Sequence, residues 1–390
     1  LDIAENHFGG KLPDSITNLS TSLTRLLVGQ NMIHGTIPKD ISKLFNLNVL
    51  SIKETLISGS IPESIGKLSN LKTLHFESNR LTGVVPSSLG NITGLLYIYL
   101  QDNNLEGSIP ASLGNCRFLQ RLELSKNNLT GSIPKEIMRL SSLSLVLDMS
   151  QNFFSGPLPE EVGNLTNLAV LDLSNNKLSG RIPSTLANCL SLESLYMQSN
   201  DLEGEIPSLT SLKNIQYFDI SSNNLSGHIP QSMAELSTLR YLNLSFNHLE
   251  GKIPVEGVFA DASSVQVRGN AKLCGGIEGL HLQPCPRQSP RGSKKKTAIK
   301  VILIVVVSSC LALLLLLLLL CWMRKVKKKP TSASLSDQIY KKVSYNDLLN
   351  ATEGFSSHNL IGSGNFGTVY KGCLGPDAKI VAIKVIKLQK

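Results

Sequence analysis

Eleven prolines, Pro13, Pro38, Pro62, Pro86, Pro110, Pro134, Pro159, Pro183, Pro207, Pro230 and Pro254, recur at intervals of 23 to 25 residues. Each closes a copy of one pattern, L-x-L-x-x-N-x-L-x-G-x-I-P. A copy this short cannot bury its own leucines, so the copies must stack and share one core. Within a copy, Leu171 and Leu173 alternate with Asp172 and Ser174, the period of a strand with one buried face. Stacking such strands makes a continuous parallel sheet on an inner curve with a leucine core behind it. The Asn five places after the first Leu (Asn6, Asn31, Asn79, Asn103, Asn127, Asn152, Asn176, Asn200, Asn223 and Asn247) offers donor and acceptor where the backbone bends. It is expected to satisfy buried backbone groups of its own and the next turn. The third copy has Thr55 in the Asn position and the seventh carries one extra residue around Ser144. Local irregularity is expected at both.

A period this regular is a leucine-rich repeat. The L-x-G-x-I-P close resembles the plant class of that repeat, in which it adds a second short strand. Gly supplies permissive dihedrals there, and Pro ends the pairing by lacking an N–H. After the last copy come Gly269 to Cys274 and Pro284-Cys285. Cys274 and Cys285 could staple a polar end cap, at roughly 3 kcal/mol on a loop-entropy estimate. That matches the C-terminal cap of the family and suits an oxidising compartment. Cys116 and Cys189 fall at equivalent places in different repeats and read as buried core thiols, too far apart to pair. Sequons begin at Asn18, Asn91, Asn128, Asn164, Asn224 and Asn243.

Val301 to Met323 contains no charged residue. A helix of that length is about 35 Å long and crosses a hydrocarbon core of about 30 Å. Lys and Arg crowd both flanks, so the positive-inside rule does not orient the segment. The sequons and cap cysteines do: they place residues 1 to 297 outside the cell. Charge divides at the same point. Residues 1–290 carry 21 Lys and Arg against 25 Asp and Glu, and residues 291–390 carry 17 against 4, which together give the net +9. The basic balance therefore belongs to the membrane flanks and a short tail, and nucleic acid is not an expected partner.

Past a Ser-rich linker stand SYNDLLNATEGFS and then Leu360-Ile361-Gly362-Ser363-Gly364-Asn365-Phe366-Gly367-Thr368-Val369-Tyr370-Lys371. The residues after the last glycine are β-branched and aromatic, a returning strand rather than the helix of a dinucleotide loop. Val381-Ala382-Ile383-Lys384 follows. Glycine loop, hairpin and VAIK in this order are a protein-kinase N-lobe signature. With both halves the chain resembles the plant leucine-rich-repeat receptor-like serine/threonine kinases. Within them it is most similar to the subfamily of immune receptors for flagellin, elongation factor and bacterial blight.

The resemblance implies a single-pass plasma-membrane receptor with an extracellular peptide or microbial ligand, a co-receptor kinase, and a cytoplasmic Ser/Thr kinase using ATP and magnesium. Ile361, Gly362, Gly364, Gly367 and Val369 would then cover ATP, and Lys384 would pair with its phosphates. The sequence holds neither the glutamate that should hold Lys384, nor the catalytic-loop Asp, nor a magnesium-binding Asp, so no catalytic residue and no metal ligand is assigned. It reads as a fragment of a receptor kinase, inactive alone. The alternative is a kinase-lacking binding receptor or decoy. The expected architecture is an α/β leucine-rich-repeat solenoid with a curved parallel sheet, one transmembrane helix and an incomplete β-rich kinase N-lobe. Its segments are the solenoid (1–254), cap and outer juxtamembrane region (255–297), span (298–323), inner juxtamembrane region (324–354) and kinase start (355–390). Repeats eight, ten and eleven show a plain L-x-L-S or I-S outward face. Repeats three to six present Lys53, His75, Glu77, Tyr97, Tyr99, Gln101, Arg121 and Glu123 instead, which marks them as the expected ligand surface.

Overall fold

The structure is a computed structural model that describes residues 1–286, 343–364, 366–375 and 377–386. Contacts divide the chain into two compact units, Leu1–Gln288 and Ser289–Lys390. The expected span, 298–323, and its basic flanks lie outside the described residues. Among the described residues no helix is long and apolar enough to cross a membrane.

The first unit is the solenoid. Its first sheet has eleven parallel strands in sequence order, most of them three residues long, such as Thr73–His75, Tyr97–Tyr99 and Arg121–Glu123. In each, the middle residue (Leu74, Ile98, Leu122) is fully buried and its neighbours face outward. A second sheet of twelve parallel strands, from Gly9–Lys11 to Lys272–Gly275, uses the L-x-G segment. Its glycines need the left-handed region: φ is +107° at Gly35 and +73° at Gly83.

The repeat prolines do more than end a strand. Pro86 (φ −68°) stands immediately before the 3-10 turn Ser87–Asn91, and its carbonyl accepts from Leu89 N at 3.1 Å. Its locked φ presets the start of the turn.

The Asn ladder is present, but its outside partner is the preceding turn, not the next. Asn103 Nδ2 donates to Leu100 O and Gln101 O of its own turn and to Phe76 O of the one before, while Oδ1 accepts from Leu81 N. The expected irregularities are small. Thr55 replaces the amide with a hydroxyl that donates to Ile52 O at 3.1 Å and to Asn79 Oδ1 at 2.6 Å. The extra residue near Ser144 is absorbed just before strand Val146–Asp148, which stays in register with both neighbours. There Ala169 N and Val170 N bond successive carbonyls, those of Ser144 and Leu145. In the regular turns both such amides share one carbonyl, as Leu96 N and Tyr97 N share Lys72 O.

The cap is continuous with the repeats. Val265–Gln266 adds the last strand of the first sheet, and Phe259, Val265, Val267 and Leu273 extend the leucine core. Cys274 and Cys285 are joined by a disulfide.

In the second unit a helix, Tyr345–Ala351, opens on a capping box between Ser344 and Asp347. The buried Thr352 hydroxyl donates to Leu348 O and accepts from Phe355 N. Phe355 then packs edge-on against Tyr370 at 5.3 Å. Tyr370 belongs to a three-stranded antiparallel sheet of Leu360–Gly364, Gly367–Leu374 and Lys379–Ile386.

Candidate functional site

Strand alternation carries His75, Tyr97, Tyr99, Arg121 and Glu123 outward on the first sheet, Lys53, Glu77 and Gln101 follow two residues past the ends of their strands, and parallel register decides which of them meet. His75 lies opposite Tyr99, and Tyr99 opposite Glu123. The rings of His75 and Tyr99 stack at 4.3 Å, 6° from parallel. His75 Nδ1 is 3.0 Å from Glu77 Oε1, and Arg121 donates to Glu123 Oε1 at 3.0 Å. The Arg121 guanidinium also stands 5.8 Å from the Tyr99 ring centre, within cation–π range. Five side chains from three repeats thus hold one another. Tyr97 is tied separately, through its hydroxyl to Gln120 Oε1 at 3.1 Å.

Gln101 stands one strand on from Glu77. Its Oε1, Glu77 Oε2 and Arg121 Nε are buried without a protein partner. Lys53 does not join the group: its ammonium pairs at 3.6 Å with Glu54.

Burial sets the charge states here. It pushes the Tyr99 phenol up despite Arg121 beside it, and it raises the Glu123 carboxyl in the same way. Beyond Glu123 the row continues through its register partners Asp148 and Asp172. Burial also holds Asp172 above the usual carboxylate range, with Asp148 and Asp219 adding repulsion.

The plain-faced reading of the later repeats overlooks a second aromatic group. Tyr217 and Tyr241 are register partners, and Tyr196 sits opposite Asp219. Stacking the repeats into columns reveals it, because all three occupy outward positions flanking the first apolar residue of the pattern, Tyr196 after Leu195 and Tyr217 and Tyr241 before Phe218 and Leu242.

A groove of about 1240 Å³ lies elsewhere on the solenoid, between second-sheet residues such as Gly59 and Val84 and the 3-10 turns at Asp14, Asp40 and Glu63. Asn18 lines it. Asn18, Asn91 and Asn164 are exposed ends of 3-10 turns, and Asn128 and Asn224 are exposed starts of second-sheet strands. Asn243 differs. It lies on the first sheet, donates to Asp219 Oδ2 at 3.0 Å and Ser221 Oγ at 3.2 Å, and accepts from Ser245 of its own sequon.

In the second unit, Gly362 and Lys384 are both register partners of Val369. Alternation puts Val369, Ala382 and Lys384 on one face and Tyr370, Gly372 and Ile383 on the other. Thr352 approaches Gly372 on that second face. Ala382 is the addition to the expected residues. Gly362 and Gly364 have open space where a Cβ would be, whereas a Cβ on Gly367 (φ +149°) would collide with the Val385 carbonyl. Gly367 is therefore required by strand pairing. Ile361 is exposed. Among the described residues no group of three His, Cys, Asp or Glu side chains is placed to hold a metal ion.

Two stacked parallel sheets with an Asn ladder define a leucine-rich-repeat protein, and the family comparisons agree: a leucine-rich repeat region matches residues 146–258 and a leucine rich repeat matches 69–129. Relatives carry this further: the chain is similar to plant leucine-rich-repeat receptor-like kinases. It is 49% identical over 145 residues to a probable LRR receptor-like serine/threonine-protein kinase of Arabidopsis thaliana, covering 35% of this chain and 14% of that one. To the LRR receptor-like serine/threonine-protein kinase EFR of Arabidopsis thaliana it is 48% identical over 144 residues, 34% of this chain and 14% of the relative. The match thus spans about a seventh of the length of these relatives.

Among solved structures, the plant peptide hormone receptor RGFR1 in complex with RGF2 superposes with a TM-score of 0.64 at 35% identity, over 69% of this chain and 43% of that one. The Arabidopsis receptor kinase HAESA, in complex with the peptide hormone IDA and the co-receptor SERK1, superposes with a TM-score of 0.59 at 33% identity. That match covers 72% of this chain and 50% of HAESA.

Proposed function

We propose that the chain is the ligand-reading and membrane-anchoring part of a plasma-membrane receptor kinase, with a peptide bound across the outward face of repeats four to six. The observation that carries this is the interlocked group His75, Glu77, Tyr99, Arg121 and Glu123. Aromatic and charged side chains fixed on a rigid sheet lose little freedom on binding, which is what a recognition surface needs. The peptide-bound states of RGFR1 and HAESA support the same use of this fold, and the SERK1 complex of HAESA supports a co-receptor as second partner. In this reading residues 298–323 form the single span, residues 1–297 are extracellular, and glycans on Asn18, Asn91, Asn128, Asn164 and Asn224 leave the first sheet clear.

For the second unit we read a nucleotide-binding start of a kinase domain. ATP would supply the phosphoryl group. Val369 and Ala382 would meet its base on the open face, the Gly362 and Gly364 backbone would close over its phosphates, and Lys384 would neutralise them. Among the described residues no set of carboxylates is placed to hold magnesium.

The test is peptide selection. The full chain in detergent micelles is panned against a phage-displayed random nonapeptide library, and enriched peptides are resynthesised. The expected result is binding that a Tyr97→Ala, Tyr99→Ala double variant loses. Unchanged affinity in that variant overturns the placement, and failure to enrich any peptide overturns the peptide reading.

A further inference from the structure

We propose that the groove beside Asn18 is the seat of the N-glycan carried by Asn18, which folds back onto the solenoid and lies along the turns of the first three repeats. The inference rests on the reading of residues 1–297 as extracellular and is independent of the ligand face.

The groove has a cause in the sequence. In the turns that end at Asn91 and Asn164 the preceding residue is glycine, and a Cβ on Gly90 or Gly163 would collide with the carbonyl of Ser112 or Thr185 in the following turn. Those turns meet backbone to backbone. The first repeat has Thr17 in the same place, buried, and the second has Ser42. A side chain there holds neighbouring backbones apart. The second turn is also cut to three residues, Ile41–Lys43, where Asp14–Asn18 and Glu63–Lys67 have five. A hollow of about 1240 Å³ is left between these turns and the second sheet.

Its lining fits a neutral sugar chain. The floor is apolar, with Ile37, Pro38, Ile61, Pro62 and Pro86, and the C–H faces of pyranose rings leave water by lying on such a surface. The rim carries Asp14, Asp40 and Glu63 against Lys39 and Lys43. That near balance favours neither a polyanion nor a polycation. Asp40 and Lys43 already pair at 2.7 Å, while the exposed carboxylates of Asp14 and Glu63 can accept from sugar hydroxyls. A few polar groups around an apolar floor is the usual make-up of a ligand site.

The occupant follows from the point of attachment. Asn18 itself lines the groove and heads the exposed sequon Asn18-Leu19-Ser20. A glycan on its Nδ2 starts inside the groove, so its first sugars are held there at high effective concentration, and weak contacts suffice to seat them. From the first repeat to Pro86 of the fourth is three repeat spacings, about 14 Å, enough for those first sugars. Asn164 ends a turn of the same kind away from the groove and supplies the internal comparison.

The test uses the full chain, expressed in plant cells behind a signal peptide with mannose trimming blocked, and purified in detergent micelles. Endoglycosidase H then cuts each glycan between its two N-acetylglucosamines, and glycopeptide mass spectrometry follows each sequon. The native chain should carry a glycan at Asn18 and lose it about tenfold more slowly than at Asn164, because the enzyme reaches only the fraction that has left the groove. After denaturation the two rates should be equal. Ser60→Trp fills the groove from an exposed position on the second sheet and should bring the Asn18 rate up to that of Asn164, whose own unchanged rate shows that the solenoid is intact. Thr36→Trp, at a second exposed lining position, should do the same. Three results each overturn the seat and leave the receptor reading standing: Asn18 unoccupied while other sequons carry glycans, equal native rates at Asn18 and Asn164, or a slow Asn18 that neither Trp variant speeds. A chain with no glycan at any sequon overturns the extracellular reading as well.

Discussion

Asn127 is the rung of the ladder on which a quantitative test is cleanest. Its Nδ2 donates to Leu100 O, Leu124 O and Ser125 O at 2.9, 3.1 and 3.1 Å, and its Oδ1 accepts from the buried Leu105 N at 2.9 Å. Asn127→Ala removes all four. The Leu105 amide then has no acceptor, at about 1–3 kcal/mol, and three carbonyls lose a bond at roughly 0.5–1 kcal/mol each. The expected loss is about 3–4 kcal/mol, less than the sum because the carbonyls keep a second lone pair.

Asn127→Thr should fall in between, because the hydroxyl of Thr55 already shows that Thr can serve its own turn at this position. The assay is urea unfolding of the full chain in detergent, followed by circular dichroism, with hydrogen exchange at the Leu105 amide as the local readout. The order wild type, Thr, Ala is required. An Ala variant that loses less than about 1 kcal/mol, or a Leu105 amide that exchanges no faster, refutes the ladder as a source of stability.

Four further outcomes are expected. Asp172→Asn should raise stability near neutral pH by about 0.5–1 kcal/mol, since the new amide can donate to Asp148 as Asn243 does to Asp219. The raised folded pKa of Asp172 means that the wild type bears its charging cost above the ordinary carboxylate pKa and is relieved as pH falls through the folded one. The gap between the two melting curves should therefore close in acid, and a gap that widens there is the wrong sign. Cys285→Ser should cost about 3 kcal/mol by opening the loop to Cys274, concentrated in faster exchange over 265–275; uniform loss along the solenoid would contradict a local cap. Alkylation mapped by peptide should label the exposed Cys373 and spare Cys116 and Cys189, whose buried thiols are pushed up to about 11 and about 12. Cys116→Ser should be tolerated within about 1 kcal/mol, because the carbonyls of Leu89 and Ile92 lie 3.7 and 3.6 Å from its sulfur and can accept.

Much of the solenoid is legible in the chain because period-2 alternation and a fixed repeat leave no second way to bury Leu74, Ile98 and Leu122 together. The direction of the Asn bond was not legible, since a side chain that can reach either neighbour carries no sign of which one it takes. The residue before each Asn was also missed: Gln30, Asp102 and Lys126 all have φ between 53° and 58°. The signal was present, as these positions avoid the β-branched residues that such a backbone excludes. At the recognition face, the outward residues could be named but not their grouping. Lys53 turns to Glu54, a rotamer choice that spacing does not encode. Orphan acceptors such as Glu77 Oε2 become visible only once every neighbour has been placed.

The alternation of the first sheet has an evolutionary consequence. The residues of the leucine core, such as Leu74, Ile98 and Leu122 with the ladder Asn, and the outward residues, such as Tyr97, Tyr99 and Arg121, are different residues. Drift at the outward positions therefore leaves the core untouched. A duplicated gene of this kind can therefore vary its outward face by changing a handful of codons in neighbouring repeats while each intermediate keeps the leucine core.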